Sequence, residues 1–274
     1  MAAEAKRENL LYVAAEFINT IDVYSYPKGK LVGQLTNIEA PNGECVDKNN
    51  NVWITEFYVG DIVEYAHGGT KPIATLSDPW GYTSGCSIDP TTGDLAVTSR
   101  WGASSKSGVV AIYKGTQGEP TAYSTPHMFY YYYCSFDDKG NLFVNGISRG
   151  SAVVFAELHG RNHNFTTLTL EQTISHPAGI QWDGKDLAVG DYYAPEIYEF
   201  TIHRKTGIEV GSTPLNGAGG GTNQFFIDGT TVIVPVVSYP GTIGYWPYPS
   251  GGSAIKVWHD GNEEPDAAVV SNAN

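Results

Sequence analysis

Short apolar segments recur along the chain, and each ends in an aspartate that is followed by a polar turn and a second apolar segment. The segments are too short for amphipathic helices and lack a period of about 3.6 residues, so the pattern predicts antiparallel strands joined by tight turns. The paired segments occupy residues 43–47 and 51–54, 85–89 and 94–97, 133–137 and 141–144, 179–183 and 186–189, and 224–228 and 231–234. Two further short apolar segments follow in each repeat and predict two more strands.

The spacing of the aspartates indicates the kind of repeat. Asp47, Asp89, Asp137, Asp183 and Asp228 are separated by 42, 48, 46 and 45 positions. A period of about 45 residues suits one four-stranded propeller blade and is longer than most helical repeats. We expect each carboxylate to accept backbone N–H groups of the turn that follows it, which is a structural role.

The two ends of the chain are out of phase with the repeat. Residues 9–13 form a second strand with no first strand before it, and residues 265–271 align with residues 41–47. The last strand therefore completes the first repeat and removes an open sheet edge. The predicted fold is all-β: a six-bladed β-propeller with four antiparallel strands per blade, closed by pairing of the C-terminal strand into the N-terminal blade. We expect a single domain over residues 9–274, preceded by a disordered or expression-derived segment at residues 1–8.

The Asp-turn motifs quoted above, which cover nearly the whole chain, resemble those of six-bladed NHL-repeat propellers and, more loosely, of senescence-marker and gluconolactonase-like propellers. The first resemblance implies a ring that binds a ligand or a protein partner at the mouth of its central channel. The second implies a hydrolase whose calcium ion polarises a carbonyl or activates water. In the second family a glutamate precedes the glycine of the first motif, whereas Glu44 follows Gly43 in this chain.

The composition of the chain limits the classes of partner that it can bind. The 274 residues carry a formal net charge of −13 without a large Lys/Arg cluster, so we expect no nucleic-acid partner. No apolar run reaches the roughly 18 residues that cross a bilayer, so we expect no membrane span. We expect a monomer. Residues 1–8 are not a secretion signal, which leaves the compartment open, with export after removal of a signal as one alternative.

Three cysteines lie on predicted first strands: Cys45, Cys86 and Cys134. A disulfide needs Cα atoms about 4.4–6.8 Å apart. First strands of neighbouring blades are expected to be farther apart than that, so we predict free buried thiols that act as small apolar fillers.

The predicted ligand site is the rim of the channel mouth, where the segments before the first strands meet the loops after the second strands. It comprises Asn42, Glu44, Glu56, Tyr58, Trp80, Tyr82, Arg100, Trp101, Tyr131, His176, Asp191, Tyr192, Asn223 and Gln224. The rim is also expected to receive Glu16, Phe17, Arg149, Tyr193 and Tyr239. Aromatic walls with a few polar groups suit a small organic ligand or a peptide. In the run 129–133 about half of the rings should pack between blades, because side chains alternate along a strand.

Two functions follow from this rim. The first is binding of a small organic ligand or a protein partner without catalysis and with no required cofactor. The alternative is a calcium-dependent lactonase or hydrolase, in which Glu44, Asn223 and Asp266 are the candidate metal ligands and Asn42 and Gln224 are further oxygen donors. A lyase site with paired histidines is disfavoured, because the seven histidines are scattered along the chain.

Overall fold

The computed structural model describes residues 1–2, 5–102, 106–238, 240–259 and 265–273, and it consists almost entirely of short strands. In chain order these are β1 (Leu10–Ala15), β2 (Thr20–Ser25), β3 (Lys30–Thr36), β4 (Pro41–Val46), β5 (Val52–Glu56), β6 (Asp61–Tyr65), β7 (Pro72–Ser77), β8 (Thr83–Ile88), β9 (Leu95–Gly102), β10 (Lys106–Tyr113), β11 (Thr121–Tyr123), β12 (Tyr130–Phe136), β13 (Leu142–Ile147), β14 (Val153–Leu158), β15 (Phe165–Leu170), β16 (Pro177–Trp182), β17 (Leu187–Asp191), β18 (Ala194–His203), β19 (Thr206–Asn216), β20 (Phe226–Asp228), β21 (Thr231–Val236), β22 (Thr242–Pro247), β23 (Gly252–Ser253), β24 (Lys256–His259) and β25 (Ala267–Ser271). Single 3-10 turns lie at Ala5–Arg7, Glu16–Ile18 and Lys114–Thr116. Among the described residues, no helix has the length and apolarity needed to cross a membrane.

The strands form a propeller-like ring of antiparallel sheets. Four sheets have four strands each, in the orders β25-β1-β2-β3, β4-β5-β6-β7, β8-β9-β10-β11 and β20-β21-β22-β24. The fifth sheet has nine strands. It contains the meanders β12–β15 and β16–β19, and these are joined where β15 pairs in parallel with β19 over two residues. The long hairpin of β18 and β19 causes this junction, because it extends beyond its own sheet to reach β15.

The ends of the chain pair as the sequence predicts. β25 lies antiparallel to β1, with Leu10 opposite Ser271 and Ala14 opposite Ala267. Of the first eight residues, the structure describes 1–2 and 5–8. Ala5 is buried there, and the amide of Ala2 donates to the carbonyl of Val32 on β3. The division between residues 1–8 and 9–274 stays a prediction.

The repeated aspartates cap the turns that follow the first strand of each repeat, which we call the inner strand. The Asp47 carboxylate accepts the amides of Asn49 and Asn51, both at 2.8 Å. The Asp137 carboxylate makes the same pair of hydrogen bonds, to the amides of Lys139 and Asn141. Asp89 and Asp183 likewise accept turn amides. The predicted structural role is confirmed for these four aspartates.

A repeated bulge in the inner strands connects one sheet to the next. β4, β8, β12 and β16 each carry an irregularity after their first pairing residues. In three sheets a polar side chain of the second strand accepts the bulge amide: Thr55 from Gly43, Thr98 from Gly85, and Asn145 from Tyr133. The same three side chains donate to a carbonyl of the following inner strand, respectively that of Ser84, Tyr132 and Ala178. Buried hydrogen bonds therefore run from sheet to sheet around this part of the ring.

A disulfide joins Cys45 of β4 to Cys86 of β8, with the Cα atoms 5.7 Å apart. The prediction of free thiols is therefore wrong for this pair, and it holds for Cys134, which is buried and free. The inner strands approach more closely than expected because glycine stands in the bulge. A Cβ atom on Gly43 would collide with the carbonyl oxygen of Ser84.

Candidate functional site

The loops that carry the predicted site lie at one end of the ring, which we call the mouth. The strand register places the first residue of an inner strand beside the last residue of its partner strand or, in β9, three residues before its end. The pairs are Pro41 with Glu56, Thr83 with Ser99, and Pro177 with Asp191. Loops after the second strands and segments before the inner strands therefore meet at the mouth, as predicted. Tyr239 falls outside the described residues.

An aromatic pocket of about 540 Å³ opens at the mouth. Its lining consists of Arg100, Trp101, Phe129, Tyr130, Tyr132, Ile147, Ser151 and His176. Arg100 and Trp101 reach it because β9 continues past the residue that pairs with Thr83, while its hairpin partner β10 supports Trp101 through Ser107. A cavity of this size, with aromatic walls and few polar groups, suits a small organic molecule.

The guanidinium of Arg100 is the charged centre of this pocket. Its Cζ lies 4.9 Å from the ring centroid of Phe57 and 4.4 Å from that of Tyr132, so two aromatic faces hold it. Its Nη2 makes a long contact of 3.4 Å with the Ser84 hydroxyl, and its buried Nε has no acceptor among the described residues. The ion pairs found in the described part of the chain do not include Arg100. The pocket therefore presents donors and a positive charge that an anion could satisfy.

Arg100 supplies the cationic character of the pocket, while the neighbouring imidazole stays neutral near pH 7. His176 is half-buried, with its ring centroid 5.5 Å from that of Tyr132 and 5.6 Å from that of Tyr192. Burial and the charge of Arg100 lower the pKa of His176, while Asp191 acts in the opposite direction. Burial, the largest effect, raises the pKa of Tyr132, so its phenol keeps its proton. Both rings can therefore donate a hydrogen bond to a ligand.

Asp191, a predicted residue of the ligand site, positions the loops beside His176. Its side chain is buried, and its carboxylate accepts the amides of Ser175 at 2.6 Å and Tyr193 at 3.0 Å. These hydrogen bonds fix the segment that carries His176 and the loop that carries Tyr192.

A second aromatic group extends the wall of the pocket. Tyr82 stacks on Trp101 with centroids 4.7 Å apart and an interplanar angle of 29°. Phe57 meets Trp101 edge-on at 5.5 Å. Trp80, which the sequence also placed at the rim, packs half-buried against the cluster around Trp53.

The Tyr131 side chain packs in the core and does not line the pocket. It is fully buried in the cluster between the sheets, and its hydroxyl accepts the Thr125 amide at 2.8 Å. As expected for the run 129–133, its rings are divided: Tyr131 and Tyr133 are buried, whereas Tyr130 and Tyr132 line the pocket. The placement of Tyr131 in the ligand site is corrected by this alternation.

The predicted oxygen donors for calcium make hydrogen bonds between different sheets. Asn42 donates to Glu16 at 2.9 Å and accepts from Ser84 at 2.8 Å. The Gln224 side chain accepts the Glu44 amide and donates to the Glu44 carbonyl. Asn223 donates to the carbonyl of Pro265, and Asp266 accepts the Glu16 amide. The described residues contain no group of three or more His, Cys, Asp or Glu that could hold a metal ion. Calcium binding stays a prediction.

Glu44 is the most unusual buried group in the ring. Its side chain is 1% exposed, and neither carboxyl oxygen has a hydrogen-bond partner in the structure. It lines a central cavity of about 350 Å³, together with both disulfide cysteines and Cys134. Burial raises the pKa of Glu44 well above its ordinary value, so the carboxyl is held as the neutral acid.

Two predicted residues line a different cavity at the mouth. Glu56 and Tyr58 border a groove of about 950 Å³ between the β1–β2 and β5–β6 loops. Phe57, which lies between them in sequence, turns toward Arg100 and was missed by the sequence analysis. The alternation along the segment 56–58 was a signal that could have identified it.

The ring of antiparallel sheets, with its site at one end, defines a β-propeller. Comparison with solved structures supports this class at low sequence identity. A chain of the nidogen/laminin complex superposes with a TM-score of 0.78 and 13% identity, over 97% of this chain and 99% of that chain. A protein of unknown function from Bacteroides caccae gives 0.71 and 12%, over 96% and 99%. A functionally unknown protein from Desulfotomaculum acetoxidans DSM 771 gives 0.67 and 12%, over 97% and 100%. No protein-family model matches the chain, and no curated protein matches it.

Proposed function

We propose that this protein is a non-enzymatic binding propeller that holds a small organic anion in the aromatic pocket. The observation that carries the proposal is Arg100, whose guanidinium lies between two aromatic rings and lacks a carboxylate partner in the described structure. A half-buried cation without a counter-ion favours a ligand that brings one.

The walls around Arg100 specify the rest of the ligand. Trp101, Tyr130 and Tyr132 offer flat apolar faces, and a cavity of about 540 Å³ accommodates one or two rings. The neutral His176 and the protonated Tyr132 phenol can donate hydrogen bonds at the pocket edge. An aromatic or cyclic carboxylate fits this combination better than a neutral ligand.

We propose further that the ring counts as six blades of the NHL-like kind. In this proposal the nine-stranded sheet is two blades whose outer strands β15 and β19 pair. The Cys45–Cys86 disulfide supports an exported location, because such bonds persist in oxidising compartments. A monomer without a nucleic-acid partner is proposed on the strength of the acidic net charge.

The test is a thermal-shift and calorimetry screen of aromatic carboxylates, each matched with its neutral amide. We expect carboxylates to bind at least roughly ten times more tightly than the amides, since a charged hydrogen bond contributes about 1.5–3 kcal/mol. Arg100→Gln should remove this preference and Arg100→Lys should retain part of it. Arg161→Gln, which removes an exposed arginine elsewhere, is the control. Equal binding of amides and carboxylates, or equal loss with both glutamine variants, would contradict the proposal.

The calcium-dependent hydrolase remains the alternative and has its own measurement. Calorimetric titration with calcium and the melting temperature with a chelator test it directly. A heat of binding that Glu44→Gln removes would support a channel metal site. No heat and no shift would remove the basis for a hydrolase of that kind.

A further inference from the structure

We infer that the groove beside the aromatic pocket docks a basic, partly apolar segment of a partner protein. This acidic groove is the cavity of about 950 Å³ between the β1–β2 and β5–β6 loops. It is lined by residues of the β1–β2, β3–β4 and β5–β6 loops and of the strand ends beside them. It shares only the β5–β6 loop with the Arg100 pocket, so it can be tested independently of the proposed function.

The rims of the acidic groove expose apolar side chains to solvent. Phe17 is 64% exposed and Ile18 is 41% exposed on one loop, while Tyr58 is 59% and Val59 is 46% exposed on the other. These four are among the eleven large hydrophobic side chains that are exposed in the described part of the chain. Their concentration on the two walls of one groove is typical of a protein interaction site rather than of scattered surface residues.

The charges of the groove select the partner. Four carboxylates line it, from Glu16, Glu39, Glu56 and Asp61, and its lining contains no Lys, Arg or His. Burial is the main reason that the pKa of Glu56 is raised, and the hydrogen bond from the Glu39 amide acts in the opposite direction. The negative charges of Asp61 and Glu39 raise the pKa of Glu56 further. A lysine or arginine of a partner would relieve this repulsion, so charge complementarity points to a basic segment.

The floor between the walls is held in place before any partner arrives. Asn19 and Ala40 adopt left-handed backbone conformations, with φ of 58° and 47°. The Asn19 side chain accepts the Ala40 amide at 2.8 Å, and the Ala40 carbonyl accepts the Phe57 amide at 3.0 Å. The Glu56 carboxylate accepts the Glu39 amide at 3.0 Å. A preorganised floor lowers the ordering cost of binding an extended segment.

The probe is a short fluorescent peptide in which arginine alternates with leucine, measured by anisotropy on the full chain. Two matched peptides replace either every arginine by glutamate or every leucine by serine. We expect the first peptide to bind more tightly than either control, and its affinity to fall as salt is raised.

Two groove variants locate the binding. Glu39 and Phe17 are exposed, so Glu39→Lys and Phe17→Ser leave the core intact, and each should weaken the peptide about five- to tenfold. The controls are Glu209→Lys and Ile73→Ser, which make the same changes on exposed outer strands and should alter affinity less than about twofold. The inference is overturned if the groove variants and the controls change peptide affinity equally, or if arginine amide alone competes as well as the peptide. It is also overturned if sedimentation shows self-association of the protein that the groove variants abolish. Arg100→Gln should leave peptide affinity unchanged, which separates this result from that of the pocket.

Discussion

A single substitution, Ser87→Cys, should create a second disulfide between inner strands. Ser87 on β8 stands at the repeat position of Cys45 on β4, and Cys134 on β12 stands at that of Cys86. The Cys86 sulfur lies 3.9 Å from the Trp53 carbonyl oxygen, and the Cys134 sulfur lies at the equivalent 4.0 Å from that of Ala96. A thiol at position 87 should therefore face Cys134 as Cys45 faces Cys86.

The expected gain follows from the loop that the new bond closes. Residues 87 to 134 form a loop of 48 residues, which corresponds to about 4 kcal/mol of loop-closure free energy. The substitution also removes the Ser87 hydroxyl, which accepts the Phe136 amide at 3.0 Å, at a cost of about 1–2 kcal/mol. The net stabilisation should be about 2–3 kcal/mol.

The assay counts thiols and measures stability. Alkylation under denaturing, non-reducing conditions followed by mass spectrometry should modify Cys134 in the wild type and no cysteine in Ser87→Cys. Urea unfolding should show the gain in stability, and a reductant should remove it.

Ser135→Cys is the matched control, because Ser135 accepts the Trp182 amide at 2.9 Å and the facing repeat position is Ile180. That variant should show two free thiols and lower stability. Two alkylated cysteines in Ser87→Cys, or a stability no greater than that of Ser135→Cys, would show that positions 87 and 134 do not face each other as Cys45 and Cys86 do.

Three further predictions test the structure of the ring. Removing residues 265–274 exposes the edge of β1 and should lower the melting temperature markedly; an unchanged melting temperature would mean that the closure is wrong. Thr98→Val leaves the Gly85 amide and the Tyr132 carbonyl unpaired and should cost about 2–4 kcal/mol in urea unfolding, whereas the exposed Thr75→Val should cost little. The raised pKa of Glu44 means that the unfolded chain releases this proton first, so wild-type stability should fall as pH rises above about 4.5, by up to about 1.4 kcal/mol per pH unit. Glu44→Gln should lack that part of the decline, and parallel pH profiles of the two proteins would contradict the burial argument.

The sequence predicts the repeating strands and turns of the ring because they depend on interactions between residues that are close in sequence. An aspartate that caps a turn recurs at Asp47, Asp89 and Asp137, and its period can be counted without knowing the fold. The closure through β25 is also readable, because residues 265–271 repeat the pattern of residues 41–47. The union of β15 with β19 is not readable, since it depends on how far the β18–β19 hairpin extends in space.

The candidate site can be predicted from the sequence only in part, for a different reason. The sequence placed Arg100, Trp101 and Tyr82 at the mouth, but the position of Arg100 between Phe57 and Tyr132 depends on contacts between neighbouring sheets. The disulfide was missed for the same reason. The separation of β4 and β8 is set by Gly43 in the β4 bulge, and a strand pattern contains no information on that separation.

The repeat also sets Arg100 apart from the residues at equivalent positions of the mouth. In four sheets the second strand (β5, β9, β13 or β17) reaches the mouth, and the residues just beyond the equivalent pairing positions are Phe57, Arg100, Ile147 and Tyr192. Three of these are apolar or aromatic, so the single guanidinium stands among side chains that cannot neutralise it. The ring requires a polar residue at Thr98, two positions earlier on β9, because its hydroxyl bonds two inner strands, whereas position 100 has no such role. Arg100 departs in chemistry from its repeat equivalents and the sheets do not need it, which supports our proposal of an anionic ligand.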